Sequence, residues 1–374
     1  MKSATLLAEL VALPSVNPAF LPPGNPRAGE TRVAEFLAAT AARAGLEIEF
    51  QPVLPRRDNL LARLKPAGKA TRRVVLAPHL DTVDGAEEQF RPRIQSGKLR
   101  GRGACDTKGS VAAMLWAVCD LARSGRRPAH TEIVFAGLVD EENAQAGSRA
   151  LAAGGLKADL AVVGEPTGLQ VVTAHKGSLW LRLETIGKSA HGSRPDLGCN
   201  AIHAMARLVD KLETEYARLL ARKRHPLLGS ATVSVGVISG GTQPNIVPDH
   251  CFIELDRRTL PGETEAGVWR EIRAILRKHQ VEAGCLSNKL APCNPLATDP
   301  RLPLVQQFLK VARQRKPAGM HYFCDAAVLS EGGIPSIVFG PGDIAQAHTS
   351  DEWISLKELE RARSLLAQYL RSLP

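Results

Sequence analysis

A chain of 374 residues exceeds what one hydrophobic core usually supports, so two or three domains are expected. Hydrophobic residues at 44% and charged residues at 23% are ordinary globular values, while 4% aromatics leave little for a surface that stacks bases. The net charge of +10 is dispersed in short groups such as Arg72-Arg73, Arg126-Arg127 and Arg222-Lys223-Arg224, which reads as a solvated basic surface and argues against nucleic acid as a partner.

No apolar run approaches the length of a membrane span, and the amphipathic start MKSATLLAELVALPSV lacks the apolar core of a signal peptide. A cytoplasmic protein without a membrane partner is expected. Seven scattered cysteines with no C-x-x-C pair argue against a disulfide framework and against a four-cysteine zinc site. Cys105 reads as a small buried apolar side chain.

Leu6, Leu7, Leu10 and Val11 predict a short first helix, and Val33, Phe36, Leu37, Ala41 and Ala44 predict a second by their helical spacing. A loop rich in Pro and Gly separates them. Runs at 46–53, 59–64 and 73–78 predict three strands, divided by helix-breaking Pro, Arg and Gly clusters. The third strand, VVLAP, is apolar throughout, as suits a strand covered on both faces, and ends in His79 and then Asp81. The glycine-punctuated loop GRGACDTKG at 101–109 opens a helix at 110–121. A strand at 132–139 ends in Asp140-Glu141-Glu142, a short helix covers 147–153, and a strand at 160–163 ends in Gly164-Glu165-Pro166.

Strand and helix alternate to this point, which predicts an α/β domain with a mostly parallel mixed sheet flanked by helices. After His175-Lys176-Gly177 the pattern changes. Strands at 178–186, 232–238 and 249–259, helices at 200–221 and 264–279, and a last strand after them spell a split βαβ, ferredoxin-like α+β domain. It is expected as an insertion over 176–288, dividing a first domain of 1–175 and 289–374. Helices at 302–313 and near 326–330, a strand at 335–339, a loop to His348 and a final helix from Leu356 complete that first domain.

Polar residues gather at the strand ends: His79, Asp81, Asp106, Glu141, Glu142, Glu165 and His348. In open sheets of this kind ligands bind beyond the carboxyl ends of the strands. Clustered carboxylates repel unless cations offset them, and imidazole with carboxylate oxygens suits zinc and similar divalent ions. A pair of bound metals is the economical expectation.

HLDTV at 79–83, GRGACDTKG at 101–109, DEEN and AGS at 140–148, GEPT at 164–167, SAHGSRP at 189–195, GGTQPNIVPD at 240–249 and QAHTSDE at 346–352 resemble, in order and spacing, the motifs of the M20 family of dinuclear zinc aminoacylases and peptidases. The resemblance implies a zinc-peptidase-like catalytic domain with an inserted dimerisation domain, hence a homodimer. It assigns His79 and Glu165 to one metal, Glu142 and His348 to the other, and Asp106 as their bridge, with zinc as the expected metal and cobalt as another candidate. It gives Glu141 the general acid/base role and His191, from a partner subunit, a role in stabilising the oxyanion. Asp81 is expected to accept the free ring N–H of His79 and so fix its tautomer.

By the same resemblance Arg258 holds a substrate carboxylate, assisted by Asn245. Arg257 alternates to the other face of its strand, so Arg258 is expected to be the one that points inward. Within the family, GEPTGLQVVTAHKG at 164–177, FCDAA at 323–327 and VFGPGDIAQAHTSDEW at 338–353 look closer to acetylornithine deacetylases than to succinyl-diaminopimelate desuccinylases. Deacetylation of a small N-acyl amino acid such as N2-acetyl-L-ornithine is implied, with other aminoacylase, desuccinylase or dipeptidase activities as alternatives. A non-catalytic metal-binding protein is the reading from a different class. Asp325 either balances an ammonium of the substrate or caps the helix that follows it.

Overall fold

The computed structural model describes residues 3–287 and 293–374. Two compact units divide the chain, one of Met1–Thr173, Thr298–Ala318 and Cys324–Pro374, the other of Ala174–Ala297 and Gly319–Phe323. The second unit begins at Ala174 and takes in Gly319–Phe323, a stretch that reads from sequence as part of the first. The expected boundary at 288/289 falls outside the described residues.

The strands of the larger sheet include, in spatial order, Glu47–Leu54, Arg57–Leu64, Thr131–Gly137, Arg72–Pro78, Leu160–Gly164, Ser336–Val338 and Val172–His175. Among the described residues, the four strands from Thr131–Gly137 to Ser336–Val338 run parallel and the strands flanking them pair antiparallel. The mostly parallel mixed sheet expected from the sequence is therefore observed, parallel at the centre and antiparallel at the edges. At one edge the reason is local: Pro55 and Arg56, the latter at φ 60°, join the first two strands, and so short a connection permits only antiparallel pairing.

Arg72–Pro78 explains the uninterrupted VVLA run. Val74 and Leu76 enter the core shared with the helix Lys108–Arg123, Val75 and Ala77 face the opposite side, and all four are fully buried. The helices Ser3–Val11 and Leu356–Ser372 pack on Lys108–Arg123, and Ala146–Ala153 packs against Asp325–Glu331. Between the C-terminal helix and the sheet, Phe308 stacks on Tyr369 with ring centroids 4.5 Å apart. A small antiparallel sheet of Arg93–Gln95, Lys98–Arg100 and Trp353–Ser355 has no counterpart in the sequence reading, since three residues are too few for an alternation to register.

The second unit is a four-stranded antiparallel sheet in the order Thr232–Gly240, His250–Thr259, Gly177–Ile186 and Gly284–Ser287. Along His250–Thr259 every second residue is buried, so Cys251, Ile253, Leu255 and Arg257 share the face covered by the helices. The long helix expected at 200–221 is interrupted: Ala201–Lys211 and Ala217–Arg222 flank a π-helical turn at Leu212–Tyr216.

Candidate metal centre

Sheet register brings the chemistry together. Pro78 pairs with Gly164 on the neighbouring parallel strand, so His79 and Glu165 leave the sheet side by side. On the other flank, Leu80 donates its N–H to the Leu138 carbonyl and Leu138 donates to Pro78, which sets the turn at Asp140 beside His79. The Asp106 loop tightens through Gly103 at φ +80°, where an added Cβ would lie 2.8 Å from the Thr82 side chain.

Asp106 stands between two imidazoles. Its Oδ1 lies 3.1 Å from His79 Nε2, and its Oδ2 lies 3.4 Å from His348 Nε2. His348 Nε2 is also 3.2 Å from Glu142 Oε2, and His79 Nε2 is 3.9 Å from Glu165 Oε1. His79, Asp106 and Glu142 each place a ligand atom within 4.8 Å of the others. His79 is buried, whereas the His348 side chain is 54% exposed and opens one side of the cluster.

The electrostatics report crowded acids. Burial raises Glu141 and Glu165 well above the ordinary carboxylate value; the His79 ring draws both back, while neighbouring carboxylates, Asp325 among them, push both up further. Burial also raises Glu142, with Asp106 adding to it. For His79, burial opposes a charge, yet the carboxylates of Asp106 and Asp81 hold its pKa well above normal. Hydrogen bonding to Asp106 and Glu142 lifts His348 to about 10. Carboxylates and imidazoles drawn out of water together, with two imidazole nitrogens converging on one carboxylate, are a donor set that fits a pair of divalent cations.

The tautomer of His79 is set mainly by main chain. Its Nδ1 lies 3.0 Å from the Asp81 backbone carbonyl and 3.4 Å from Asp81 Oδ1. A carbonyl only accepts, so Nδ1 carries a proton, and Nε2 is the nitrogen turned toward Asp106. Asp81 thus meets the ring through its carbonyl and, at the longer distance, through its carboxylate. That carboxylate also holds main chain: Oδ1 accepts the Glu141 N–H, and Oδ2 accepts the Glu142 N–H and Asn17 Nδ2. Asn17 donates to Asp140 Oδ1 as well, and Arg57 bridges Asp140 and Glu30. Asn17, Arg57 and Glu30 escape the sequence reading because nothing local marks a loop asparagine or a strand arginine as a partner for residues far along the chain.

Of the two roles expected of Asp325, the cap is corrected: Cys324, not Asp325, occupies the cap position of its helix. The Asp325 carboxylate is 1% exposed and its Oδ1 accepts the Ser148 hydroxyl at 2.5 Å. Burial raises its pKa to about 6, and its charge in turn raises that of Glu141.

Within the second unit, Arg257 turns toward the face covered by the helices. Arg257 is fully buried and hydrogen-bonds to Tyr216, Glu263 and the Arg258 carbonyl. Arg258 lies on the other face, half-buried, with its Nε 2.7 Å from Asp256 Oδ2. His191 and Asn245 are brought together on the surface: His191 pairs with Ile246 in an antiparallel bridge, and Gly192 donates its N–H to the Asn245 carbonyl.

Residues 75–372 match the model of peptidase family M20/M25/M40. The chain is 32% identical to an acetylornithine deacetylase of Proteus mirabilis, over 98% of this chain and 95% of that protein. The crystal structure of the aminopeptidase PepT from Bacillus cereus superposes with a TM-score of 0.80 at 22% identity, covering 99% of this chain and 97% of that one. A Bacillus subtilis protein described as a dinuclear metal binding peptidase of the M20 family gives a TM-score of 0.70 at 16% identity, over 99% and 96% of the two chains. With strand ends that gather imidazoles and carboxylates around Asp106 and a family match across most of its length, this chain belongs to the M20 peptidase family and is a hydrolase of amide bonds.

Proposed function

We propose that the protein removes the acyl group from a small N-acyl-L-amino acid, N2-acetyl-L-ornithine first among them, releasing the free amino acid and acetate. The observation that carries this reading is Asp106, with one oxygen toward His79 and the other toward His348. The name of the Proteus mirabilis relative supports the acetylated amino acid as substrate.

His79, Glu165, Asp106, Glu142 and His348 would hold two divalent ions, zinc by ligand preference. Bound there, the ions supply a water of lowered pKa and a Lewis acid for the carbonyl oxygen. Glu141 accepts the proton of the attacking water and returns it to the departing amine. Burial raises its pKa, the His79 ring draws it back, and the charges of Glu165 and Asp325 raise it further. Arg258 offers its guanidinium to the substrate carboxylate, with Asn245 assisting.

His191 donates to the developing oxyanion from a partner subunit, in a homodimer built through the second unit. Val237 and Ile238, exposed on the edge strand Thr232–Gly240, support such a pairing. Mixing His191→Ala with Glu141→Ala chains, each inactive alone, should restore roughly a quarter of wild-type turnover, since half the dimers are mixed and one of their two sites is complete. No recovery in a verified mixed dimer would place His191 outside the partner's site.

Turnover of acetylornithine, acetylcitrulline, acetylmethionine and succinyl-diaminopimelate by the zinc-loaded protein, measured side by side, tests the substrate. Preference for the succinyl compound would remove the ornithine assignment and leave the hydrolytic chemistry standing.

A further inference from the structure

Glu352 is a buried carboxylate that lies next to the metal centre without belonging to it. It is 1% exposed, and donors surround both of its oxygens. Oε1 accepts the N–H groups of Cys105 at 2.8 Å and Asp106 at 3.1 Å; Oε2 accepts the Gly103 N–H at 3.0 Å and Arg102 Nη1 at 2.8 Å. Its own carbonyl accepts the Gly101 N–H at 3.0 Å. A carboxylate so engaged has little lone-pair capacity left for a metal.

The chain position of Glu352 gives these bonds a consequence. His348 lies one turn of loop before it, and Trp353–Ser355, immediately after it, pairs with Lys98–Arg100, just ahead of the Asp106 loop. Gln89 adds a tether by donating to the Thr349 carbonyl at 3.0 Å. Asp81 joins the backbone of Glu141 and Glu142 to the His79 loop, and Glu352 stands in the same relation to the Asp106 and His348 loops.

We propose that Glu352 is a positioning residue that holds the Asp106 loop and the His348 loop as one body, so that the bridging carboxylate and the exposed histidine reach the metals in a fixed relation. The inference rests on the two-metal reading above. Only a carboxylate of this length fits the donors: glutamine would turn an NH₂ toward either pair of them, and aspartate would withdraw both oxygens by one methylene. Loss of a group that orients metal ligands typically lowers metal affinity about 10- to 100-fold.

The test measures zinc affinity by competition with a chromophoric chelator, alongside thermal unfolding of the metal-free proteins, for wild type, Glu352→Gln, Glu352→Asp and Glu132→Gln. Glu132 is also a buried carboxylate bonded to an arginine, Arg73, but at the far end of its strand. The expected result is zinc affinity weakened about 10- to 100-fold in the folded Glu352 variants, with Glu132→Gln losing stability only. Should glutamine at 352 prevent folding, the aspartate variant alone decides. Wild-type affinity in a folded Glu352 variant, or an equal loss in Glu132→Gln, overturns the proposal. Wild-type protein that takes up no divalent ion overturns it together with the metal reading, which separates the two failures.

Discussion

The Asp81 carboxylate holds Glu141 by its main chain, with Oδ1 3.1 Å from the Glu141 N–H. The other oxygen holds Glu142 at the same distance, so one buried residue fixes the backbone of the proposed acid/base and of a proposed ligand. In Asp81→Asn one of these amides faces an NH₂ in place of an oxygen. Turnover and zinc affinity should both fall about 10- to 100-fold, read by steady-state kinetics and chelator competition. Unchanged values for both would show that the acidic turn holds itself.

Glu141 has a different expected signature. Glu141→Gln keeps the shape of the site and removes the proton carrier, so zinc content by elemental analysis should match wild type while kcat falls by about 10²- to 10⁴-fold. Activity near wild type would transfer the proton role to another group and reopen the reading of the protein as a metal binder without catalysis.

Arg257 and Arg258 are adjacent and should fail in opposite ways. Arg258→Ala should raise KM for substrates bearing a free carboxylate while leaving thermal unfolding close to wild type. Arg257→Ala takes a partner from Tyr216 and from Glu263, which keeps Lys223, and leaves an unfilled buried space, a loss on the order of 1–3 kcal/mol in urea unfolding. If Arg257→Ala raises KM with no cost in stability, the two assignments are reversed.

His175 carries a pH dependence of its own. Its ring is fully buried, Nδ1 lies 2.9 Å from the Lys176 carbonyl, and Nε2 has no partner among the described residues. Burial lowers its pKa from 6.5 to about 4. Between those values the unfolded chain binds the proton and the folded chain does not, so stability falls as pH drops from about 6.5 toward 4, by up to about 3 kcal/mol. His175→Asn removes this dependence. Urea unfolding at several pH values in that window should show wild type losing more stability on acidification than the variant; equal losses would remove His175 from the account.

Much of the centre is legible in the amino-acid sequence. An uninterrupted VVLA run followed by a histidine marks a doubly covered strand with chemistry at its end, and the register of Pro78 with Gly164 sets His79 beside Glu165 as that pattern implies. Period-two alternation likewise separates Arg257 from Arg258. It does not say which face the helices cover; in the folded chain Arg257 lies on that face and Arg258 on the other. The antiparallel edges of the sheet and the three-residue strands stay hidden because pairing partners and very short strands leave no periodic trace.

Which residue types stand at which strand ends follows from the order of residues alone, because hydrophobic periodicity and the length of a strand are local properties. How those ends are held follows only from the folded chain. Asp81 finds the amides of Glu141 and Glu142 about sixty positions away, and Glu352 finds those of Gly103, Cys105 and Asp106 nearly two hundred and fifty positions away. A buried carboxylate is stable only where donors converge on it, and that convergence follows from the packing of the whole sheet and its helices.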